Sequence, residues 1–390
     1  MVSLEFRCFV RLIVGEAMVE IQVQGVTKRY RNERRQMMQA VDAVDLTVAR
    51  GEMLMVVGPS GSGKTSLLRL IAGLEEPNEG RVLFDGVPVL NIRPAKRGVF
   101  MLFQDALLYP NLTVGENLAV PLTIRRTSPG TIRERVEAVA RRFRVDERLD
   151  SLPEQLSRGE RQRVALGRAI LSESSVLLLD EPLVNLEPEI RFRLRIEIAS
   201  LREEVGSTVV YVTHDPFEAF TLGDRVAVLN HGRLQQVDRP DEVYRKPANQ
   251  FVAGFVGFPP MNRILGEVRS THEGFCFVSA AETGGCGGIR LNLPNDLWSS
   301  PPQMVVMGVR PEDVSIELAA KENGSMGMEA TVSRIERYGA DAYWHLNVAG
   351  VSLIAQSRSQ ELASRGAQVW LTFDKSQALW FDPRTSERLA

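Results

Sequence analysis

A glycine-rich stretch after a short apolar run constrains the fold more than any other part of the chain. "GPSGSGKTS" (58–66) has the spacing G-x-x-x-x-G-K-[ST], follows "EMLMVV" (52–57) and leads into the helical pattern "KTSLLRLIAG" (64–73). A strand, a glycine-rich loop and a helix in this order are typical of a phosphate-binding loop. A glycine-rich turn without a ligand does not account for the lysine, the threonine and the helix together.

The residues of this loop suit the binding of a nucleotide triphosphate. Gly61 and Gly63 let the backbone bend so that successive N–H groups point at phosphate oxygens. Lys64 would place a positive charge between the β- and γ-phosphates, and the Thr65 hydroxyl would bind Mg²⁺. The residues that we expect to contact the nucleotide here are Gly58, Ser60, Gly61, Ser62, Gly63, Lys64, Thr65 and Ser66.

Two further apolar runs, "VLLLD" (176–180) and "TVVYVTH" (208–214), are each followed by a loop and a helical pattern. This alternation predicts a mostly parallel sheet covered on both faces. The amphipathic "TIRERVEAVARRFRV" (131–145) predicts a helical insert at about 105–165. Turn and linker signals occupy about 240–262, and the many short strand-like runs after them predict a separate small β barrel or sandwich.

Polar residues at the ends of the apolar runs are candidates for catalysis. Asp180 can orient the magnesium shell, and Glu181 can polarise a water molecule for attack on the γ-phosphate. Gln104 ends the run "VFMLFQ" (99–104), and His214 closes the third strand. Either of these last two residues is, by itself, equally compatible with a structural role.

A third segment, "LSRGERQRVALGRAI" (156–170), has an unusual charge distribution. Ser157 and Glu160 have the spacing of a capping box, so a helix is predicted to begin there. Arg158 and its neighbouring arginines then load positive charge onto the positive end of the helix dipole. An anion from outside the chain explains this, and so does arginine as a good helix former on an exposed face.

The composition excludes several other classes of protein. The formal net charge of −2 indicates no general affinity for nucleic acid, and the three scattered cysteines fit neither a disulfide framework nor a zinc site. No run of 18 apolar residues is present, so no membrane span is predicted. Residues 1–18 are expected to form an N-terminal extension.

In order along the chain, the phosphate loop, Gln104, "LSRGE" (156–160), "LLLDEP" (177–182) and His214 resemble an ATP-binding-cassette (ABC) ATPase over roughly residues 19–245. The resemblance implies an α/β fold with a mostly parallel sheet and a helical subdomain, with ATP and Mg²⁺ as cofactors. It also implies that two such domains pair head to tail.

The family pattern implies a role for each matching residue. Ser157 and Gly159 would contact the γ-phosphate held by the other subunit, and Tyr30 would stack on the adenine. His214 would hold the γ-phosphate and the attacking water. Gln104 would join Thr65 and Asp180 around the magnesium ion and sense the helical subdomain.

The second half, through "GVRPEDV" (308–314) and "LTFDKSQALWFDP" (371–383), looks like the regulatory OB-like β domain of maltose- and glycerol-phosphate-type importer ATPases, here 246–390. "LLYPNLTVGENLAVPL" (107–122) resembles the segment that docks membrane partners. The implied protein is the ATPase of a sugar importer at the cytoplasmic face of the cell membrane. Its implied partners are a second ATPase subunit (self or paralogue), two transmembrane permease subunits and, indirectly, an extracytoplasmic solute-binding protein, with no nucleic acid.

This chain departs from the family pattern at four positions. Arg158 and Glu160 replace glycine and glutamine in the signature, and Val184 and Glu187 replace a small residue and aspartate in the interface loop. We expect these changes to weaken the signature half of the site. The alternatives are an importer of polyamine, iron, sulfate or molybdate, a soluble cassette ATPase of DNA repair or translation, and a phosphate-loop kinase or GTPase.

Overall fold

The computed structural model describes residues 18–31, 35–184, 186–272, 274–279, 289–294, 297–298, 301–318, 328–358 and 363–389. Residues 1–17 of the expected N-terminal extension lie outside this part. Contacts divide the chain into two units, Met1–Asp241 and Glu242–Ala390. None of the helices in the described ranges combines the length and the apolarity that crossing a bilayer requires.

The first unit contains two sheets. Strands β2-β1-β4-β5 form an antiparallel sheet, and strands β10-β9-β3-β8-β7-β6 form a sheet that is parallel except at β10. The strands are β1 (Ile21–Arg31), β2 (Met37–Val48), β3 (Met53–Val57), β4 (Glu79–Phe84), β5 (Val87–Pro88), β6 (Val99–Leu102), β7 (Val176–Asp180), β8 (Thr208–Thr213), β9 (Arg225–Asn230) and β10 (Arg233–Asp238). The mostly parallel sheet is thus confirmed, whereas most of the antiparallel sheet was not predicted.

The helices of this unit follow the strands or form the insert between β6 and β7. They are α1 (Lys64–Ala72), α2 (Val114–Ile124), α3 (Pro129–Arg142), α4 (Arg158–Leu171), α5 (Pro188–Val205) and α6 (Pro216–Leu222), with 3₁₀ turns at Pro94–Lys96, Asp146–Arg148 and Pro153–Gln155. Strands β3, β7 and β8 are buried along their whole length, as expected for strands covered on both faces. Their side chains and those of α1 share one apolar core with the antiparallel sheet.

Helices α2, α3 and α4 of the insert pack closely at one glycine. A Cβ atom on Gly167 of α4 would lie 2.9 Å from both the Leu118 Cδ2 and the Val139 Cγ1 atoms, which belong to α2 and α3. These distances are shorter than ordinary van der Waals contacts, so the three helices need a residue without a side chain here. Helix α4 begins as predicted, with Ser157 at its N-cap and Glu160 completing the capping box.

A buried arginine holds the C-terminal end of α1, the helix that follows the phosphate loop. The Arg97 guanidinium donates hydrogen bonds to the carbonyl oxygens of Ile71 (3.1 Å) and Ile92 (2.9 Å), and burial lowers its pKa. The last carbonyl groups of a helix have no partner within the helix and lie at the negative end of its dipole. Arg97 therefore satisfies these carbonyl groups and fixes the position of α1.

We expect Arg97→Met to lower the free energy of unfolding by about 2–4 kcal/mol, because it leaves buried carbonyl groups without donors. Denaturant unfolding followed by circular dichroism measures this loss. Arg93→Met is the matched control, since Arg93 is exposed at the start of the same 3₁₀ turn. Equal stability of the two variants would show that Arg97 contributes only surface charge.

The second unit consists mainly of two antiparallel sheets, which confirms the all-β prediction. Their orders are β13-β12-β11-β14-β20 and β15-β19-β16-β17-β18, and side chains of both sheets, among them Phe277, Trp344 and Trp380, share one core. The strands are β11 (Asn262–Thr271), β12 (Gly274–Ser279), β13 (Arg290–Leu293), β14 (Met304–Val309), β15 (Val314–Glu317), β16 (Met328–Tyr338), β17 (Asp341–Val348), β18 (Val351–Ser357), β19 (Gln368–Phe373) and β20 (Leu379–Phe381), with 3₁₀ turns at Pro311–Asp313 and Lys375–Gln377.

The prediction of a linker at about 240–262 was wrong in part, because two short helices, α7 (Pro240–Arg245) and α8 (Gln250–Phe255), lie in this range. The turn-forming residues act here as helix starts. Pro240 begins α7, and the Asn249 side chain accepts a hydrogen bond from the backbone N–H of Val252 in α8. Buried Arg310 then donates to the Val256 carbonyl oxygen at the end of α8 (2.6 Å).

Candidate functional site

The glycines of the phosphate loop are required by its backbone. Gly61 and Gly63 have φ values of +77° and +102°, which side chains disfavour. A Cβ atom on Gly58 would lie 2.1 Å from the Leu229 carbonyl oxygen, and one on Gly63 would lie 2.0 Å from the Ala40 carbonyl oxygen. The loop is therefore held in its bent form by close backbone contacts on two sides, with Ser60 exposed at its tip.

Two buried polar groups of this loop suit an anionic ligand. The Lys64 ammonium group donates to the carbonyl oxygens of Gly58 and Pro59, each at 2.9 Å, and burial lowers its pKa. The Ser62 hydroxyl is buried and has no hydrogen-bond partner among the residues that the structure describes. Because a buried polar group without a partner costs free energy, a ligand oxygen at this loop would be favourable. These residues therefore fit a phosphate group.

One pair of residues, Thr65 of the loop and Asp180 at the end of β7, could hold a magnesium ion. The Thr65 hydroxyl donates to the Asp180 carboxylate at 3.1 Å, across 115 positions of sequence. Burial raises the pKa of Asp180, and the neighbouring Glu181 adds to this effect. A divalent cation at this position would favour the charged carboxylate, so the pair suits a metal ion bound together with phosphate.

Three predicted catalytic residues meet at one carboxylate. The Glu181 Oε2 atom lies 3.3 Å from the Gln104 Nε2 atom and 3.2 Å from the His214 Nδ1 atom. Glu181 follows β7 and adopts a φ of +46°, which is unusual for a residue with a side chain, and its N–H donates to the Val212 carbonyl oxygen of β8 (2.9 Å). Strained backbone of this kind is common at functional sites, and the arrangement can accept a proton from a bound water.

Glu218, which the sequence analysis missed, is hydrogen-bonded to the strand that precedes His214. Its buried carboxylate accepts hydrogen bonds from the hydroxyl groups of Tyr211 (3.0 Å) and Thr213 (2.9 Å) on β8. This network ties α6 to the end of the strand that carries His214. The sequence did contain a signal for this residue. Glu218 lies on the side of α6 that carries the apolar residues Ala219 and Leu222, and a glutamate that is buried there needs hydrogen-bond partners.

Burial raises the pKa of Glu218 above its ordinary value of 4.5. The folded state then binds the proton more tightly than the unfolded state, so this group's contribution to stability falls as the pH rises above that value. We expect Glu218→Gln to lack this loss and to gain stability relative to the unmodified chain between acidic and neutral pH. Denaturant unfolding at several pH values tests this, and a constant difference between the two proteins would contradict it.

The start of α4 has a hydrogen-bond network of its own. The Ser157 hydroxyl accepts from the Glu160 N–H, the Ser157 N–H donates to the Glu160 carboxylate (2.8 Å), and Arg148 contacts the same carboxylate at 3.2 Å. Within the described part of the chain, no hydrogen bond joins Ser157 or Gly159 to the phosphate loop. Among the described residues, these two predicted nucleotide contacts therefore share no hydrogen bond with the loop that carries Lys64.

The neighbouring arginines at the start of α4 have different surroundings. Arg161 donates to the Leu156 carbonyl oxygen at 2.5 Å, which is a structural role. Arg158 is exposed and lines a cavity of about 290 Å³ together with Asp105. A Cβ atom on Gly159 would be no closer than 3.5 Å to any neighbour, so packing within the chain does not require this glycine.

Tyr30 lies beside α1, the helix that follows the phosphate loop. Its hydroxyl donates to the Glu75 carboxylate and lies 3.1 Å from the Ser66 Oγ atom, and the Lys28 Nζ atom lies 5.3 Å from the centre of its ring. Burial is the largest cause that raises the pKa of Tyr30. The structure thus brings Tyr30 and Ser66 together.

Comparisons with known proteins agree with this site. A model of the ABC transporter family matches residues 41–184, and a model of the TOBE domain matches residues 307–381. The chain is 41% identical to the trehalose/maltose import ATP-binding protein MalK of Thermococcus litoralis, covering 90% of this chain and 95% of that protein. It is 36% identical to the sn-glycerol-3-phosphate import ATP-binding protein UgpC of Yersinia enterocolitica, covering 95% and 99%.

A solved structure shows the same fold for the first unit. It is a dimeric ATP-binding cassette in a post-hydrolysis state bound to ADP and Pi, with a TM-score of 0.53 and 30% identity, covering 56% of this chain and 98% of that chain. The family model, the long relatives and this fold agree with the phosphate loop and the carboxylates beside it. The chain therefore belongs to the ABC transporter family, as an import ATP-binding subunit that couples ATP hydrolysis to transport.

Proposed function

We propose that this chain drives the import of a sugar or sugar derivative. The observation that carries the ATPase part is the meeting of Gln104, Glu181 and His214 beside Asp180 and the phosphate loop. The solute class is supported by the relatives, whose names give trehalose/maltose and sn-glycerol-3-phosphate. These names do not favour a polyamine, iron, sulfate or molybdate importer, nor a soluble cassette ATPase.

In this proposal each site residue has one role. The loop N–H groups and Lys64 bind the phosphates, and Thr65, Asp180 and Gln104 hold Mg²⁺, which would neutralise phosphate charge. Glu181 accepts the proton of the attacking water. His214, whose Nδ1 atom lies near Glu181, orients that water and the γ-phosphate. Tyr30 binds the adenine.

A second ATPase subunit is proposed because the predicted nucleotide contacts fall into two groups. The phosphate loop is one group and the start of α4 is the other, and no hydrogen bond joins them in the described part of the chain. A second ATPase subunit would bring its own Ser157 and Gly159 to the nucleotide held at Lys64, with the exposed Ser157 at the front of this approach. The dimeric relative supports such pairing. The arginine-rich start of α4 would then be completed by the phosphate of another subunit.

The segment 107–122 supports docking to transmembrane permease subunits. The fully buried Asn117 side chain donates to the carbonyl oxygens of Tyr109 (3.1 Å) and Leu112 (2.9 Å) and accepts from the Tyr109 N–H (2.8 Å). It thereby holds this loop in one conformation while the Leu107 and Tyr109 side chains stay exposed. Bound in this way, the chain would work at the cytoplasmic face of the membrane, supplied through an extracytoplasmic solute-binding protein.

We also propose domains at 19–245 and 246–390, with the helical subdomain at about 105–165 and residues 1–18 as an extension. The division by contacts, after Asp241, falls inside the same short helix as the boundary at 245.

The function is tested with the chain reconstituted in liposomes together with the permease subunits that co-purify with it. We expect ATPase activity to be stimulated by a sugar-loaded or glycerol-phosphate-loaded solute-binding protein. Full activity without membrane partners would indicate a soluble cassette ATPase. Stimulation only by polyamine, iron, sulfate or molybdate would reject the proposed solute class.

Arg158→Gly tests whether the altered signature limits turnover. If the arginine obstructs the approach of phosphate to the start of α4, the ATPase rate of the reconstituted complex rises by about tenfold, the size of one lost hydrogen bond to a charged group. Arg93→Gly is the matched control, because Arg93 is exposed on the same unit. Arg148→Gly is unsuitable, because it would also remove the contact between Arg148 and Glu160. An unchanged rate with two equivalent nucleotides per dimer would show that the arginine leaves the site intact.

A further inference from the structure

A cavity in the second unit has a lining that the proposed ATPase function does not use. Its volume is about 550 Å³, and its lining residues are Ser333, Arg334, Ile335, Arg337, Ala363 and Arg365. Among the residues that the structure describes, the lining provides three guanidinium groups, one hydroxyl and two apolar side chains, and no carboxylate. A cavity with this lining suits a small anion.

The backbone determines that these arginines lie together. The turn that carries Arg365 is fastened to β16, because the Val332 N–H donates to the Ala367 carbonyl oxygen (2.9 Å) and the Gly366 N–H donates to the Val332 carbonyl oxygen (2.8 Å). The pairing of β16 with β17 is irregular between Val332 and Arg334. Main-chain bonds therefore fix the backbone positions from which the three exposed arginine side chains extend around one cavity.

The charges of this cluster are only partly neutralised. Arg334 contacts the Glu336 carboxylate at 3.2 Å, and the same carboxylate lies 3.4 Å from the His345 Nε2 atom. Among the residues that the structure describes, no ion pair or hydrogen bond engages the guanidinium groups of Arg337 and Arg365. Like charges held close together repel, and a bound anion would remove this cost.

We propose that this cavity binds the phosphate monoester of a small hydroxylated molecule. Guanidinium groups match phosphate oxygens with two parallel hydrogen bonds, and the Ser333 hydroxyl can bind an ester or hydroxyl oxygen. Ile335 and Ala363 offer apolar contact to the carbon atoms of the ligand. The volume lies in the range of about 300–1,000 Å³ that small-molecule sites occupy, which is more than inorganic phosphate needs.

The test is calorimetric titration of the full chain, with the phosphate loop first filled by one equivalent of a non-hydrolysable ATP analogue and Mg²⁺. We expect glycerol phosphate to bind at one further site, inorganic phosphate to bind more weakly and glycerol not to bind. Arg337→Gln and Arg365→Gln should each weaken glycerol phosphate binding about tenfold. Arg269→Gln is the matched control, because Arg269 is exposed on β11 and pairs with Glu267.

Four results would overturn the proposal. One is the absence of binding beyond the filled loop, and another is binding that neither cavity variant weakens. The third is equal affinity for inorganic phosphate and glycerol phosphate, which would remove the ester from the ligand. The fourth is binding to a lipid headgroup instead of a soluble ester, which sedimentation with phosphatidylglycerol vesicles detects. Vesicle binding that depends on Arg337 and Arg365, without any binding of glycerol phosphate, would be this result. Each of these readouts is independent of ATP hydrolysis.

Discussion

In the reconstituted complex, Glu181→Gln should bind ATP normally and hydrolyse it at least about 100-fold more slowly, the loss typical of a positioned general base. Glutamine has nearly the size of glutamate and can still contact Gln104 and His214, but it cannot accept the proton of water. The backbone change is small, because the strained φ of residue 181 and its N–H bond to Val212 do not involve the side chain. Single-turnover and steady-state ATPase assays, with nucleotide binding measured in parallel, give the two quantities.

Glu189→Gln is the matched control for this change. Glu189 lies exposed near the start of α5, and its carboxylate pairs with Arg193, four residues along the same helix. We expect this variant to hydrolyse ATP at the unmodified rate. If Glu181→Gln also retained that rate, Glu181 would not be the general base, and another group would have to accept the proton.

Lys64→Ala should weaken ATP binding and hydrolysis together, each by about 100-fold or more. The ammonium group is the one side-chain charge of the loop, and charge-assisted hydrogen bonds are roughly twice as strong as neutral ones. Lys64 is buried and bonded to two loop carbonyl groups, so its removal also frees the Gly58 and Pro59 oxygens beside the phosphate. Calorimetry with Mg²⁺ and ATP measures the loss of affinity.

Exposed Lys96→Ala serves as the control, because it removes a lysine of the same unit that belongs to a 3₁₀ turn outside the loop. Thermal unfolding should show that Lys64→Ala remains folded, since α1 keeps its helical residues and Arg97 still holds its C-terminal end. Unchanged affinity for ATP in folded Lys64→Ala would contradict the assignment of residues 58–66 as the nucleotide site.

Local sequence determined the pieces of this protein that depend on neighbouring residues alone. The spacing of residues 58–66 predicted the loop between β3 and α1, and the pair Ser157 and Glu160 predicted where α4 begins. Glycine geometry and helix capping act within a few residues, so these features can be recognised in one stretch of chain. The all-β second half was predicted for the same reason, from short strands separated by turns.

The linker prediction used the same local signals and was wrong in part. Proline and asparagine occur both in turns and at helix starts, and only the packing around Arg310 distinguishes the two outcomes. The antiparallel sheet around β1 was missed for a related reason, because strand pairing between distant residues leaves little trace in any single segment.

Tertiary structure alone decided which distant residues meet. Gln104 reaches Glu181 across 77 positions because β6 and β7 are neighbours in the parallel sheet, and β8 beside them delivers His214. No local pattern predicts the partners of buried Glu218 and Arg97, or of the arginines around the cavity in the second unit. Their positions follow from sheet order and backbone pairing, which depend on the free energy of the whole fold rather than on any one segment.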